Sequence, residues 1–509
     1  MNSFKIRDFP WYTILFAMYP ILALMSHNLG QVAYVFAFRA LWVSSFIAIL
    51  SVSVFYLLYR ELKAAGISTV VCMGAFFLYA PIYNYIEGFE IYDFVIGRQL
   101  YFLPVWLILI VIVILVIPKG AKVIPILSSF FSVSAVFLLA FPIFQIASFE
   151  YRFQQYSQKV YPAKIVLPGI NSEKSPDIYY IVLDMYGSSD ILFDEFGHDD
   201  SGFLQDLRNL GFYVPECSRS NYSTTSYSLS SVLNINYLPD INVGLSANNQ
   251  NELLMWFLIQ NSGVVQALKD LGYKTVAFET GYNWTELRDS DHYYQPRTSR
   301  INKFESLLIR QSLPSIISER GVVDQFQLTS DRRKYDLSVF VLDELEKVPS
   351  LAGPKFVFVH LAIPHPPFVI GPSGELNIVP IRYEGNESYY PKDEYKIGYI
   401  NQVAYLNMRM PQVLQSILDG SEQPPIIIVQ GDHGPRYVDI EKQFGVLNAY
   451  YFPEPAPNLY PSLSPVNNFR IIFNNYFGTS LHLLTDQSYS EEFELMYDHE
   501  EISNNCLAD

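Results

Sequence analysis

The chain has 509 residues, half of them hydrophobic, and carries a net charge of −16. Almost all of the acidic excess lies after residue 150, which excludes a nucleic-acid partner, because a phosphate backbone needs a basic face. The hydrophobic half is not spread evenly: residues 1–148 are repeated apolar runs, whereas the chain from about residue 170 is an ordinary globular mixture, long enough to bury one large core.

Five runs come first, near Trp11–His27, Ala40–Tyr59, Ile67–Tyr85, Leu100–Ile117 and Val123–Ile146. Each approaches the roughly 20 helical residues that cross a bilayer. Tyr, Trp and Phe cluster at their ends, where interfacial anchoring favours them. Lys5 and Arg7 precede the first run, Arg60 and Lys63 follow the second, and Lys119 and Lys122 follow the fourth. The opposite loops carry Arg39 and Arg98, with Glu87, Glu90 and Asp93 nearby. Cytoplasmic loops hold the excess of Lys and Arg, so the N-terminus is expected in the cytoplasm and everything after the fifth span outside. No small-residue cleavage site follows the first run, which reads as a retained anchor rather than a signal peptide. The third run contains Pro81; were it a buried core helix, the large domain would lie in the cytoplasm. The expected domains are a five-span bundle over 1–148, a linker over 149–172 and a catalytic domain over 173–509. Within the linker, Glu150–Lys164 has the aromatic and basic mixture of an interfacial helix; a plain linker is the other reading.

In the globular half, short β-branched runs predict strands at Ile178–Leu183, Thr275–Phe278, Phe356–His360, Ile426–Val429 and Arg470–Phe473. Helical patterns lie between them at Ser201–Leu210, Gly263–Leu271 and Tyr395–Leu418. This alternation predicts an α/β domain with a mainly parallel sheet, in which ligands gather beyond the C-terminal strand ends. There is no CxxC and no Cys/His zinc pattern. Cys72 sits in an apolar run, and a Cys217–Cys506 disulfide is open to the sequence but untestable by it.

Four polar groups stand at or near strand ends. Asp184 closes the run Tyr179–Leu183, where a carboxylate can hold a cation or cap a helix. Gly431-Asp432-His433-Gly434 closes another strand. Its oxygen and imidazole donors suit zinc or manganese, and its glycines let adjacent side chains face one centre. The hydroxyl-rich stretch Asn221–Ser231 precedes a helical pattern, so it reads as a nucleophile at a helix N-terminus, where free N–H groups bind phosphate or sulfate oxygens, or as a plain capped loop. His360 and His365 follow a further strand and can bind substrate oxygens or protonate a leaving group; a structural histidine is the alternative for either.

The order of these pieces resembles that in the sulfatase-like proteins of the alkaline-phosphatase superfamily. Within that group the chain is most similar to the membrane-anchored branch that includes lipoteichoic acid synthases and lipid A phosphoethanolamine transferases. The resemblance is carried by Ile178–Gly187, Asn221–Asn234, His360–Phe368 and Ile426–Pro435. It implies five transmembrane helices and an extracytoplasmic sulfatase-like catalytic domain. It also implies a metal site of Asp184, Thr225, Asp432 and His433, with Thr225 as nucleophile, because Ser228 stands three residues later as in the family's Thr-x-x-Ser pattern. Thr224 is the rival by one residue. His360, His365, Ser228 and Arg288 are implied to contact substrate, with Thr285 and Glu286 beside Arg288. The chain departs from true sulfatases. Thr225 is followed by Ser226, Tyr227, Ser228 and Leu229, so the Cys/Ser-x-Pro-x-Arg motif is absent, and Thr cannot become formylglycine. Asp184 is followed by Met185 rather than a second aspartate, which implies one divalent metal, manganese or zinc, rather than two.

The expected function is transfer of a phospho-head group from a membrane phospholipid, through a phospho-threonine, to a glycan or lipid hydroxyl. Hydrolysis of a phosphoric or sulfuric ester is the alternative with water as acceptor. A non-catalytic membrane binding protein is the third reading, and the full set of site residues argues against it. The sequence leaves the oligomeric state open.

Overall fold

The computed structural model describes residues 9–159, 164–168, 175–241, 253–296, 301–315, 330–379, 382–492 and 495–502, apart from positions 31, 88, 92–93, 96, 121 and 385–386. The chain divides into two compact units, Met1–Arg152 with Ser299–Ser330, and Phe153–Thr298 with Asp331–Asp509.

The first unit contains helices α1 (Tyr12–His27), α2 (Val35–Tyr59), α3 (Leu62–Ile86) and α4 (Gln99–Val116), and α5 (Ile124–Lys159) as far as Arg152. Four of these, α2 to α5, are long and apolar enough to cross a membrane, and α1 is a shorter apolar helix of 16 residues. Their burial is inside out relative to a soluble bundle. Many of the buried positions are small residues, Ala17, Ala37, Ala40, Ser44, Ala48, Ala64, Ala65, Ser68 and Thr69, beside larger ones such as Ile21, Met25, Met73 and Tyr79. Large apolar side chains such as Phe46, Leu58, Ile108, Phe137 and Phe144 point outward. Small residues let helix backbones approach closely, and lipid is the solvent that tolerates the outward face. Ser44 illustrates the approach, with Oγ donating to the Ala17 carbonyl at 2.9 Å. Helix α5 has 36 residues, about 54 Å at 1.5 Å per residue, longer than a ~30 Å hydrocarbon core. It therefore runs into the expected linker, of which residues 160–163 and 169–174 lie outside the described ones. Residues 301–315, far along the chain, also belong to this unit and interrupt the expected 173–509 domain.

The second unit is built on a six-stranded sheet of β1 (Ile178–Leu183), β2 (Lys274–Phe278), β3 (His292–Tyr294), β4 (Lys355–Leu361), β5 (Ile426–Gly431) and β6 (Asn448–Tyr451), in spatial order β6-β5-β1-β4-β2-β3. All pairs are parallel except β5 with β6. Both faces of β1 are buried, which is why it reads as an unbroken apolar run. Tyr179, Ile181 and Leu183 pack into one core layer, and Ile178, Tyr180 and Val182 into the other.

One predicted strand is not a strand. Arg470–Phe473 lies within helix Asn468–Tyr476. Phe469, Ile472 and Phe473, spaced i, i+3 and i+4, face the second layer. A short apolar run satisfies both periods, and packing decides. Strands β3 and β6 were not foreseen, since each is only three or four residues long.

The strand order places β1 between β4 and β5. In the register, Leu183 lies opposite both Leu361 and Gly431. Gly431 is fixed by contact: a Cβ there would meet the Tyr186 carbonyl oxygen at 2.2 Å. Gly431→Ala is therefore expected to lower stability by about 1–3 kcal/mol, the usual cost of overpacking. Denaturant unfolding of the detergent-solubilised protein measures it, and an unchanged midpoint would contradict this packing.

Candidate active site

The register brings Asp184 and Asp432 to one level, each one residue beyond the Leu183–Gly431 pair. By strand alternation Asp184 lies on the same face as Val182, and His360, opposite Val182 in β4, shares that face. The helix Thr225–Leu233 packs on this face through Leu229, Val232 and Leu233. Its first residue is Thr225, and Thr224 is the extended N-cap, whose side chain makes no capping bond.

Helix Lys392–Gly420 holds the loops at the strand ends. The Tyr399 hydroxyl donates to the Met185 carbonyl at 2.8 Å and accepts from Gly187 N–H at 3.1 Å. The buried Gln402 side chain donates to the Pro364 carbonyl at 2.9 Å and accepts from Val369 N–H at 3.0 Å. Met185 adopts φ +70°, a left-handed conformation unfavourable for a non-glycine residue and found most often at functional sites. That turn aims Met185 N–H at Asp432 Oδ1, 3.0 Å away.

Asp184, Asp432 and His433 are buried and offer ligand atoms all within 4.8 Å of one another. His433 Nε2 lies 3.7 Å from Asp184 Oδ1 and 3.9 Å from Asp432 Oδ2. Thr225 Oγ1 is 3.3 Å from the same nitrogen. Asp432 divides its oxygens between two tasks. Asp432 Oδ1 accepts from Met185 N–H and His433 N–H, whereas Asp432 Oδ2 and Asp184 Oδ1 are buried with no hydrogen-bond partner among the described residues. His433 Nδ1 lies 2.9 Å from the Gly434 carbonyl. A carbonyl only accepts, so Nδ1 carries the proton and Nε2 presents its lone pair. Two unpaired buried carboxylate oxygens, an imidazole lone pair and a hydroxyl facing one point leave a large desolvation cost uncompensated. A divalent cation satisfies all four, so the residues fit a metal of the oxygen- and nitrogen-binding kind.

His360 Nε2 lies 3.6 Å from Asp184 Oδ2. On its other side Nδ1 is 3.3 Å from Thr285 Oγ1, which is 2.7 Å from Thr280 Oγ1. The chain Thr280–Thr285–His360 thus points at Asp184 without closing a hydrogen bond on it, and His360 Nε2 is buried with no hydrogen-bond partner among the described residues. Burial raises the Asp184 carboxyl, but His365, His360 and His433 outweigh it and hold the group below the usual carboxylate range. His365 N–H donates to the Asp184 carbonyl at 3.0 Å. Its Nδ1 lies 2.5 Å from the Pro366 carbonyl, so Nε2 is its acceptor nitrogen. Burial pulls the His365 imidazole down, and Lys334 adds to this against the opposing pull of Asp184.

Asp184, Thr225, Asp432, His433 and His360 thus meet in one cluster, and His365 adjoins it. Ser228 is fully buried one helical turn after Thr225, and its Oγ has no hydrogen-bond partner among the described residues. Arg288 pairs with the buried Glu286 and lies over the Tyr293 ring. Thr280, Tyr282 and Lys334 were not foreseen. Tyr282 meets the His365 ring edge-on, and the Lys334 ammonium donates to the His365 carbonyl. None belongs to a strand-end motif, so only the fold reveals them.

A parallel α/β sheet with a strand-end cluster of carboxylates, imidazole and hydroxyl is the architecture of metal-dependent phospho- and sulfo-ester enzymes. The chain belongs to the sulfatase family, whose model matches residues 176–482, and so to the sulfatase-like part of the alkaline-phosphatase superfamily. Among solved structures it is similar to the C-terminal periplasmic domain of EcEptC from Escherichia coli, at 12% identity, covering 66% of this chain and 96% of that one, with a TM-score of 0.40. It is similar to the integral membrane lipooligosaccharide phosphoethanolamine transferase EptA from Neisseria meningitidis, at 11% identity, covering 91% and 95%, with a TM-score of 0.38. It is also similar to a 2-O GAG sulfatase, at 13% identity, covering 61% and 72%, with a TM-score of 0.38. A search of curated protein sequences returns no match.

His433→Ala and Asp432→Asn are each expected to reduce bound metal at least tenfold, while the melting temperature of the metal-stripped protein stays within a few degrees of wild type, because the core is built elsewhere. Elemental analysis after dialysis against manganese or zinc measures the first effect and calorimetry the second. Full metal occupancy in both variants would exclude this site.

Proposed function

We propose that the protein transfers a phospho-head group from a membrane phospholipid, through a covalent phospho-threonine at Thr225, to a hydroxyl of a glycan or another lipid. The observation that carries this reading is Thr225 Oγ1 at the start of its helix, 3.3 Å from His433 Nε2 and beside the unpaired oxygens of Asp184 and Asp432. Asp184, Asp432, His433 and Thr225 would hold one divalent cation, zinc or manganese, which would lower the pKa of the hydroxyl and offset charge developing on the phosphate.

In the first half-reaction the Thr225 Oγ–H bond breaks as the Oγ–P bond forms. The bond from phosphorus to the diacylglycerol oxygen breaks, and that oxygen takes up a proton. The N–H groups of the first helical turn face the phosphate oxygens, as helix N-termini do for anions. In the second half-reaction the acceptor oxygen bonds to phosphorus as the Thr225 Oγ–P bond breaks, and the proton lost by the acceptor hydroxyl is passed to Thr225 Oγ. His365 suits the base in this step, because burial keeps its ring neutral and its Nε2 accepting. His360 faces Asp184, and Ser228 and Arg288 are assigned to the bound head group.

The membrane helices support a lipid donor, since anchoring holds the site at the surface where its substrate is concentrated. Five spans with a cytoplasmic N-terminus put the catalytic half outside the cytoplasmic membrane. Segment 301–315 fits this, because it leaves and re-enters the catalytic half in sequence and packs on the Phe36–Ala40 end of α2, the end that the loop charges assign to the outside. Cys217 is disulfide-bonded, Cys72 is free, and Cys506 lies outside the described residues. A disulfide suits an oxidising compartment.

Thr225→Ala is expected to abolish a phospho-adduct that mass spectrometry detects on the wild-type protein after incubation with membrane lipids. Thr224→Ala should retain it. The reverse result moves the nucleophile by one residue, and activity in both variants rules out the covalent mechanism. Independently, a reporter fused after Asp509 should be active only outside the cytoplasm; cytoplasmic activity would overturn the topology and with it the lipid-donor reading.

A further inference from the structure

The first unit contains a groove of about 500 Å³ between α2, α3 and the segment Ile301–Pro314. Val43 and Ile47 on α2, Met73 and Phe77 on α3, and Leu308 and Ile309 on the segment form its walls. Val43 and Ile47 are about half exposed, so the groove opens sideways along the outside of the bundle.

Its roof is fixed in place. Helix Lys303–Arg310 starts with a reciprocal cap, in which the Asn302 side chain accepts from Glu305 N–H and the Glu305 carboxylate accepts from Asn302 N–H. Asn302 Nδ2 donates to the Phe36 carbonyl at 2.9 Å, and Leu313 N–H donates to the Phe76 carbonyl at 2.8 Å. Phe304 is fully buried among Ile21, Met25, Ala37 and Ala40. The groove is therefore a preformed feature.

Polarity is confined largely to one end. There Arg39 pairs with both carboxylate oxygens of Glu305, Nε to Oε1 at 2.6 Å and Nη2 to Oε2, and the Arg39 side chain remains 54% exposed. From Arg39 the groove follows α2 as far as Ser51, about 18 Å at 1.5 Å per residue. One leaflet of hydrocarbon is about 15 Å deep, half of a ~30 Å core. A cation at head-group level above an apolar slot one leaflet deep matches a phosphate joined to an acyl chain. The lining is mainly apolar, with the Ser44 and Ser312 hydroxyls already bonded to backbone carbonyls, and around helices that cross a bilayer the available apolar filler is lipid.

We propose that this groove is a binding site for a single glycerophospholipid, drawn from the leaflet at the N-terminal end of α2. One acyl chain lies between Ile47, Phe77 and Leu308, and the phosphate sits against Arg39. The site rests on the membrane placement of α2 and α3 and not on the chemistry of Thr225, so the phospho-threonine experiment can fail without touching it.

The test uses the whole protein in phosphatidylcholine vesicles containing a trace of phosphatidylglycerol with a photoactivatable diazirine on one acyl chain. After irradiation, peptide mass spectrometry should find adducts on Val43–Ser51, Cys72–Phe77 and Leu308–Ile309. An excess of unlabelled phosphatidylglycerol should reduce these adducts at least tenfold, whereas background labelling of the lipid-facing α4 stays unchanged. Matching diacylglycerol, which lacks the phosphate, should compete at least tenfold less well. Ile47→Trp, and separately Val43→Phe, fill the slot and should bring groove labelling down to the α4 level; a melting temperature near wild type for either one validates that variant. Groove labelling that is no higher than on α4, that does not saturate, that survives in a folded filled variant, or that diacylglycerol competes equally well would overturn the proposal.

Discussion

The parallel pairing of β1 with β4 on one side and β5 on the other is the constraint on which the catalytic half depends. A parallel ladder with Leu183 opposite both Leu361 and Gly431 makes three separate strand ends terminate at one level. Asp184 and Asp432 then emerge together, and the His360 and Thr225 side chains reach them from the same face. Register in a strand buried on both sides is strongly specified, because a one-residue slip exchanges its two sets of side chains between layers. Such a slip would also carry Asp184 to the opposite face. The precision of the site is therefore inherited from the core.

That level would be unstable if it were only a meeting of buried charges. Among the described residues, Asp432 has one oxygen hydrogen-bonded to the protein, and Asp432 Oδ2 and Asp184 Oδ1 have no hydrogen-bond partner. Asp432 is held by two backbone N–H groups, one of them aimed by the left-handed turn at Met185. Asp184 Oδ2 has His360 Nε2 near it, 3.6 Å away and too far for a hydrogen bond, and His360 is braced on its other side by Thr285 and Thr280. Engaged oxygens fix orientation, and the unpaired ones leave the kind of donor atoms a divalent cation takes up.

The membrane half follows a different solvent and so a different rule. In α1, α2 and α3, Ala, Ser, Gly and Thr fill many of the buried positions, while large residues such as Phe46 and Leu58 face outward. Close backbone approach supplies the contacts that water would otherwise enforce. The 301–315 segment joins this half through one deeply buried side chain, Phe304, and a capped helix end. It shows that a contiguous stretch of a catalytic domain in sequence need not be contiguous in packing.

Much of this was legible in the sequence. Four of the five predicted strands are strands, since Ile178–Leu183 and its neighbours are short, β-branched and bounded by polar or glycine positions. Asp184 and Asp432-His433 stood out because a polar residue directly after such a run has few places to go except a strand end. The apolar runs could be read as membrane helices because composition alone fixes their solvent. Other features depended on information that no local window contains. Arg470–Phe473 satisfies two periods at once and became helix because Phe469, Ile472 and Phe473 fit one core layer. Strands β3 and β6 are too short to carry a pattern and exist because neighbours offer free edges. Sequence could not say which oxygen of Asp184 is left without a partner, that Thr285 braces His360, or that Ile301–Pro314 roofs a groove on α2. Those facts belong to contacts between residues tens to hundreds of positions apart, and only the packed chain decides them.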